Sequence, residues 1–434
     1  MNNRLRLKAS IDVVCWLTLQ ACAFRGHDEK VISKNQGNFL ELLKLLASYN
    51  DEVAQVVLNN APKNGKYTCH QVQKELLEIL SSRVKKHIRE EIGDSKFCII
   101  VDEARDESQK EQMALVLRFV DKDGLIQERF FDMRCVTSTT SLSLKEAVCD
   151  ILSRHNLDVS NLRGQGYDGA SNMRGEWNGL QALFMKDCPY AYYIHCFAHR
   201  LQLSLITASS ERHDELQAAQ LKENEYLLEI EGIVPGKGAN QIGTVKRATD
   251  TRWGSHFSSI YAIEIPDLDD LHSATRFGRS RLEENQDSYK AFDVDTICTL
   301  VDKYYPMDFN DQGKIHLCYQ LEQFIVDARK EPCLKNLSTI QELCSCLVAT
   351  ERNKIYFLID RLLRLIMTLP VSTATTERSF SATKIIKTRL RNKMGSGFLN
   401  DTMTVYIERE ISASISSESV IDDFKLVGSR NDLF

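Results

Sequence analysis

KFCIIVDEARD, residues 96–106, is where the character of the chain changes. Upstream of it, apolar residues recur every three to four positions through 7–23, 37–59 and 70–91, the spacing of helices that each bury one face. From Phe97 to Val101 the apolar residues are consecutive and partly β-branched, which suits a short strand. MALVLRFV (113–120) follows, DKDG supplies a turn, and LIQERFFDMRCV (125–136) returns, so a strand and then a hairpin are expected. Beyond these, SLSLKEAVCDILSRHN (141–156) reads as an amphipathic helix and NLRGQGYD (161–168) as a fourth strand. ASNMRGEWNGLQALFMKDC (170–188) reads as a second helix, and AYYIHCF (191–197) as a fifth strand entering the helix AHRLQLSLI. The order βββαβαβα predicts a mixed sheet with helices packed on it.

That order is the one expected of an α/β, ribonuclease H-like fold, here preceded by a helical module and interrupted by a shortened helical insertion. We divide the chain into a helical module (1–94), a ribonuclease H-like core (95–210), an insertion and linker (211–350), a C-terminal helical region (351–412) and a tail (413–434). The insertion begins with a charged helix at 211–232 and continues through the Gly-rich IVPGKGANQIG into weakly periodic sequence. Order is expected again in DVDTICTLVDKYYP, KIHLCYQLEQFIVDARK and ERNKIYFLIDRLLRLIMTL, the last an apolar helix stopped by Pro370. Its apolar positions nearly encircle it, so it should be buried or paired.

Composition limits the functions to be considered. A chain of 434 residues with 43% hydrophobic content can bury a large core, and a net charge of −5 provides no global positive field for DNA or anionic lipid. Any nucleic-acid contact must then come from local clusters. Thirteen cysteines at irregular spacing, without a C-x-x-C pair, point to reduced thiols rather than a disulfide framework. The N-terminal apolar run is too short and too interrupted by Asp12 for a membrane span, so no membrane partner is expected.

Two acids stand out. Asp102 ends the apolar run of the first strand, and Asp168 closes the fourth, just ahead of Ala170, Ser171 and Asn172. On adjacent strands they would lie side by side, where mutual repulsion favours a hard cation such as Mg²⁺ or Mn²⁺. Read singly, Asp168 caps a helix and Asp102 ends a strand. Asp106, four residues on, competes with Asp102. Further along, Thr375 and Thr376 are expected to cap a helix with Glu377 in its first turn and Phe380 and Ile385 on its apolar side. Between Arg378 and Asn400 six basic residues and no acids occur, among them Lys384, Lys387, Arg389 and Arg391. They form a candidate phosphate-contacting cluster, or a solvated helix face. Cys196, His199 and His195 lack a partner pair at metal spacing, so structural zinc is not expected.

The segments FRGHDE, GNFLELLK, KEQMALVLRFV, RGQGYDGASNMRG, YIHCFAHRLQL, DTRWGSH and LPVSTATTERSFSATKIIKTRLRNKM resemble those of the hAT superfamily of DNA transposases, in particular its zinc-finger MYM-type or TTF-type transposase-like proteins. The resemblance covers residues 1 to about 205, 247–260 and 292–424. It implies a ribonuclease H-like catalytic domain interrupted by a helical insertion, with a C-terminal segment that returns to complete the fold and mediates dimerisation, to itself or to a related transposase-like chain. It implies an acidic triad of Asp102, Asp168 and Glu377 holding Mg²⁺ or Mn²⁺ for DNA strand cleavage and transfer. Cys196 and His199 match its C-x-x-H signature, implying a role in positioning DNA, and Trp253 matches a tryptophan that stacks on a flipped base. Nuclear residence follows from the same resemblance. The sequence contains no cysteine–histidine array of a zinc finger, and the insertion after Trp253 is short for the family. Both features suit a domesticated, non-catalytic protein acting through dimerisation.

Overall fold

The computed structural model describes residues 2–30, 32–62, 65–197, 294–335, 337 and 339–426. The predicted strands form one five-stranded sheet in the order β3-β2-β1-β4-β5. β1 (Phe97–Arg105), β2 (Glu111–Val120) and β3 (Ile126–Cys135) run antiparallel, whereas β4 (Leu162–Tyr167) and β5 (Tyr192–His195) run parallel to β1. The unbroken apolar run in β1 has a simple cause, since both of its faces are covered. Phe97, Ile99 and Val101 enter a core on one side, and Ile100 enters another on the opposite side.

The first side is covered by α4 (His70–Ile92), α5 (Ser141–Arg154) and α7 (Leu180–Asp187). Val84, Ile88 and Ile92 in the second half of α4 pack on the sheet. Leu76, Leu77 and Leu80 in its first half pack instead with α1 (Asn2–Leu19), α2 (Asn38–Tyr49) and α3 (Asp51–Val56). One helix thus belongs to both the helical module and the sheet domain. The second side is covered by α13 (Ala374–Ile386) and α14 (Ser396–Ile407), through Phe380, Ile386, Leu399 and Met403.

The remaining described helices are α8 (Val294–Tyr304), α9 (Asp311–Ala328), α10 (Pro332–Lys335), α11 (Ile340–Ala349) and α12 (Phe357–Thr368). They share a core that reaches the sheet at Val120. The near-continuous apolar surface expected of α12 is used on two fronts, because the helix lies between this bundle and strands β2 and β4. A short α15 (Arg409–Ser414) leads to α16 (Ser417–Leu426). Residues 417–426, expected to be tail, return to the N-terminal helices with Val420, Ile421 and Phe424 buried, and Asp423 pairs with Arg83 at 2.7 Å. Among the described residues no helix is long and apolar enough to cross a membrane.

Three expectations are corrected. The helix predicted over 170–188 is broken into α6 (Ser171–Arg174) and α7, because the chain folds back on itself between Gly175 and Gly179. The Gly179 amide donates to the Gly175 carbonyl at 2.9 Å, a Cβ on Gly179 would collide with the Gly175 backbone, and one on Gly175 would collide with the Ser171 carbonyl at 2.9 Å. On α13 the buried isoleucine is Ile386, while Ile385 is exposed. Against the expectation of reduced thiols throughout, a disulfide joins Cys298 of α8 to Cys318 of α9.

Candidate active site

The site is built from the carboxyl ends of two neighbouring parallel strands. Ile100 of β1 pairs with Gly166 of β4, the last pair of that ladder, and Asp102 and Asp168 each follow two residues later at the carboxyl ends of the two strands. Asp102 is nearly buried, its carboxylate accepting from the Glu103 amide at 2.9 Å. Asp168 is partly exposed and accepts from the Ala170 amide at 3.1 Å. It does not cap α6, whose N-cap position is Ala170.

Facing Asp168 is an acid that the sequence reading passed over. Glu103 is half-buried, and the Asn172 amide donates to it at 3.2 Å while also bonding the Thr139 carbonyl at 2.9 Å. Burial first, and then the charge of Asp168, raise the Glu103 carboxyl to about 7 against the opposing Asn172 hydrogen bond. Among the described residues no Lys or Arg forms an ion pair with Glu103 or Asp168. The sequence signal was the DE pair of VDEARD together with the Asn of GASNM. Alternation along the strand sets Glu103 opposite Asp102, which is why attention fell on only one of them.

Glu377, partly exposed, sits in the first turn of α13. The segment leading to it is seated across β4 and β5. A Cβ on Gly166 would lie 3.0 Å from Pro370, so this glycine is what lets the segment lie against the strand, while one on Gly164 would meet the Cys98 sulfur first, at 2.5 Å, and then Leu369 and Pro370 at 3.1 Å. The Phe197 amide donates to the Val371 carbonyl at 3.1 Å. Thr373 donates to the Cys196 sulfur from its amide at 3.3 Å and from its hydroxyl at 3.4 Å. The sulfur is 1% exposed with its residue and faces the start of α13, so Cys196 anchors the helix that carries Glu377 and is not presented to DNA. Thr375 and Thr376 lie inside α13 rather than at its cap: Thr375 bonds Glu128 of β3, and Thr376 bonds the Thr373 carbonyl.

The basic cluster divides. Lys387 is 1% exposed and pairs at 2.7 Å with Asp106, which also accepts from Gln112 at 2.7 Å and from the Ser108 and Lys110 amides. These partners hold the Asp106 carboxyl below its usual value despite burial. Lys387 is therefore unavailable to phosphate, and Asp106 is no rival to Asp102. Arg391 is half-buried and donates to the Ala21 carbonyl at 2.7 Å. Arg378, Lys384 and Arg389 are exposed, beside an apolar Leu390 that is 97% exposed. His199 and Trp253 lie outside the described residues.

Asp102, Glu103 and Asp168 lie at the carboxyl ends of β1 and β4, Glu377 lies two residues from Thr375, which bonds Glu128 of β3, and among the described residues no three His, Cys, Asp or Glu side chains close on a common point. The donor set is all oxygen, which suits a hard divalent ion, and the Glu103–Asp168 pair lacks a neutralising partner among the described residues.

Residues 1–179 match the family model of the ZMYM1/FAM200, RNase-like domain, and residues 325–411 match that of the hAT family C-terminal dimerisation region. The first match runs through the helical module, β1 to β4 and α6, consistent with the sharing of α4 between the helical module and the sheet. Among curated proteins, the human "52 kDa repressor of the inhibitor of the protein kinase" is 23% identical over 207 residues, covering 47% of this chain and 27% of that protein. The mouse protein of the same name is 22% identical over 198 residues, covering 45% and 26%. The matched stretch is thus about a quarter of the length of these relatives.

Proposed function

From a transposase-like, transposon-derived chain that joins an RNase-like domain to a hAT C-terminal dimerisation region, we infer a dimeric, nuclear protein that cleaves and joins DNA strands at the carboxyl ends of β1 and β4. The observation that carries this reading is the parallel pairing of β1 with β4, which puts Asp102 and Asp168 at neighbouring strand ends, with the helix bearing Glu377 packed on β1. Asp102, Asp168 and Glu377 are the residues that would hold Mg²⁺ or Mn²⁺. Such an ion supplies Lewis-acid activation of water or a DNA 3′-hydroxyl and charge stabilisation at the scissile phosphate. The chain's own contribution is positional. Pro370 on Gly164 and Gly166, with Thr373 on Cys196, fixes the start of α13, and Asn172 orients Glu103 toward Asp168. Arg378, Lys384 and Arg389 offer exposed cations for the DNA backbone.

The test is Mn²⁺-dependent nicking of supercoiled DNA by the wild-type chain. Asp168→Asn and Glu377→Gln are expected to abolish it, and nicking that survives Asp168→Asn refutes the assigned site.

A second reading is favoured by the dimerisation-region match and by the apolar Val371, Ile385 and Leu390 exposed on it. In this reading the protein acts without catalysis, by pairing with itself or with a related transposase-like chain. Sedimentation at micromolar concentration checks the shared premise of both readings, since a strictly monomeric species would rule out self-association.

A further inference from the structure

The helices α8 to α12 carry Cys298, Cys318, Cys333, Cys344 and Cys346. The first two are joined, and the other three are free thiols. The free three are not equivalent. Cys344 is buried and donates to the Asp360 carboxylate at 3.7 Å, and its thiol is pushed up to about 12, chiefly by burial. It resembles the buried Cys188, which donates to the Leu162 carbonyl, and Cys196, which accepts from Thr373. Buried thiols of this kind, each with a fixed partner, are inert parts of the core.

Cys333 and Cys346 are placed differently. Cys333 is exposed on α10, and Cys346, 13 residues later, is half-buried on α11. The Cys346 thiol donates to the Cys333 carbonyl at 3.8 Å and is also within hydrogen-bonding reach of the Cys333 thiol. Burial first, and then this contact, raise the Cys346 thiol against the opposing charge of Arg352. The Arg352 guanidinium, paired with Glu331, puts a positive charge beside both sulfurs. A sulfur open to solvent, a second sulfur behind it and a guanidinium beside the two are the parts of a thiol–disulfide exchange site.

We propose that Cys333 and Cys346 exchange with small disulfides of the glutathione class, Cys333 attacking and Cys346 resolving. The Cys333 thiolate attacks one sulfur of the small disulfide, whose S–S bond breaks as one thiolate leaves. Cys346, as its thiolate, then attacks the Cys333 sulfur of the mixed disulfide and expels the second. The small disulfide is reduced to two thiols, the cysteine pair is oxidised to one disulfide, and the two cysteine protons end on the released thiols. Closure ties α10 to α11, which is itself seated on the turn between β2 and β3 through the Ser345 hydroxyl and the Gly124 carbonyl, 3.3 Å apart. The site is independent of the acids at the ends of β1 and β4.

The native full chain is incubated with glutathione disulfide, alkylated, digested with trypsin and examined by mass spectrometry without reduction. Trypsin separates the pair, because Lys335 lies between them, and leaves Cys344 on the same peptide as Cys346. In the wild type, Cys333 and Cys346 are expected to lose alkylation together and to appear as one cross-linked peptide pair. Cys344→Ser should keep the link. In Cys346→Ser the link should be lost and glutathione retained on Cys333, the intermediate that Cys346 would otherwise resolve. In Cys333→Ser, Cys346 should remain free of glutathione and open to alkylation. Glutathione retained on Cys333 of the wild type, a link from Cys333 to Cys344 or to a second copy of the chain, or a Cys333 that stays fully alkylated would overturn the proposal. Glutathione on Cys346 in Cys333→Ser, gained as fast as the wild-type pair closes, would overturn the order of attack.

Discussion

Glu103 and Asp106 lie three residues apart at the carboxyl end of β1, and the fold treats them in opposite ways. Asp106 is buried against Lys387, Gln112 and two backbone amides, and its charge is fully provided for. Glu103 and Asp168 face each other across the ends of β1 and β4, and among the described residues they have no Lys or Arg partner. A buried acid with a built-in cation is part of the scaffold. Acids set together without one retain a repulsion that an external cation can relieve. This contrast, more than the number of acids present, separates a chemical group of acids from a structural one at the same end of β1.

The contrast can be broken most forcefully in the structural group. Lys387→Met leaves Asp106 buried without its cation and is expected to cost about 3 to 5 kcal/mol in urea-induced unfolding. A loss below about 1 kcal/mol would mean that Gln112 and the amides suffice. Next in size is Gly166→Ala, whose methyl group would press on Pro370 at 3.0 Å. Overpacking of this kind costs about 1 to 3 kcal/mol, and it should lower nicking as well, since the same segment carries the start of α13.

In the chemical group the sign reverses. Asp168→Asn removes the charge that opposes Glu103, so its melting temperature at pH 7 should equal or exceed that of the wild type. The pH dependence sharpens the point. The folded-state Glu103 carboxyl is raised to about 7, so the folded chain holds this proton more tightly than the unfolded one. Its contribution to stability is greatest below the ordinary carboxylate range and declines as pH rises from there to about 7. In Asp168→Asn the upper end of that window should move down, read from unfolding midpoints between pH 4 and pH 8. The smallest effect belongs to the surface. Arg389→Ala should change stability by no more than about 0.5 kcal/mol while lowering DNA affinity in a salt-dependent manner.

Much of the fold was legible in the sequence, and the exceptions have a common cause. The strands could be read because β1 is covered on both faces and shows it as an unbroken apolar run. The break between α6 and α7 was hidden because it depends on Gly175 meeting Gly179, a contact between backbones rather than a periodicity. Lys387 looked like one member of a solvated charge run because its partner lies 281 residues away in sequence. Cys298 and Cys318, separated by 20 residues on different helices, show no spacing signal for a disulfide. Asp102 and Asp168 could be paired from strand order alone. Glu103 was missed because its relevance comes from Asn172 and Asp168, which the topology brings to it. The glycines of GQG were read only as part of a strand, whereas Gly166 serves to admit Pro370 and hence α13.

The account turns on whether the acids at the ends of β1 and β4 take a divalent cation. The direct measurement is the melting temperature of the full chain with increasing Mn²⁺, in the wild type and in Asp168→Asn. Binding to the folded state alone should stabilise the wild type by about 2.7 kcal/mol at a concentration a hundred times the dissociation constant, with no such rise in Asp168→Asn. A wild-type chain indifferent to Mn²⁺, or a variant stabilised to the same extent, would contradict it.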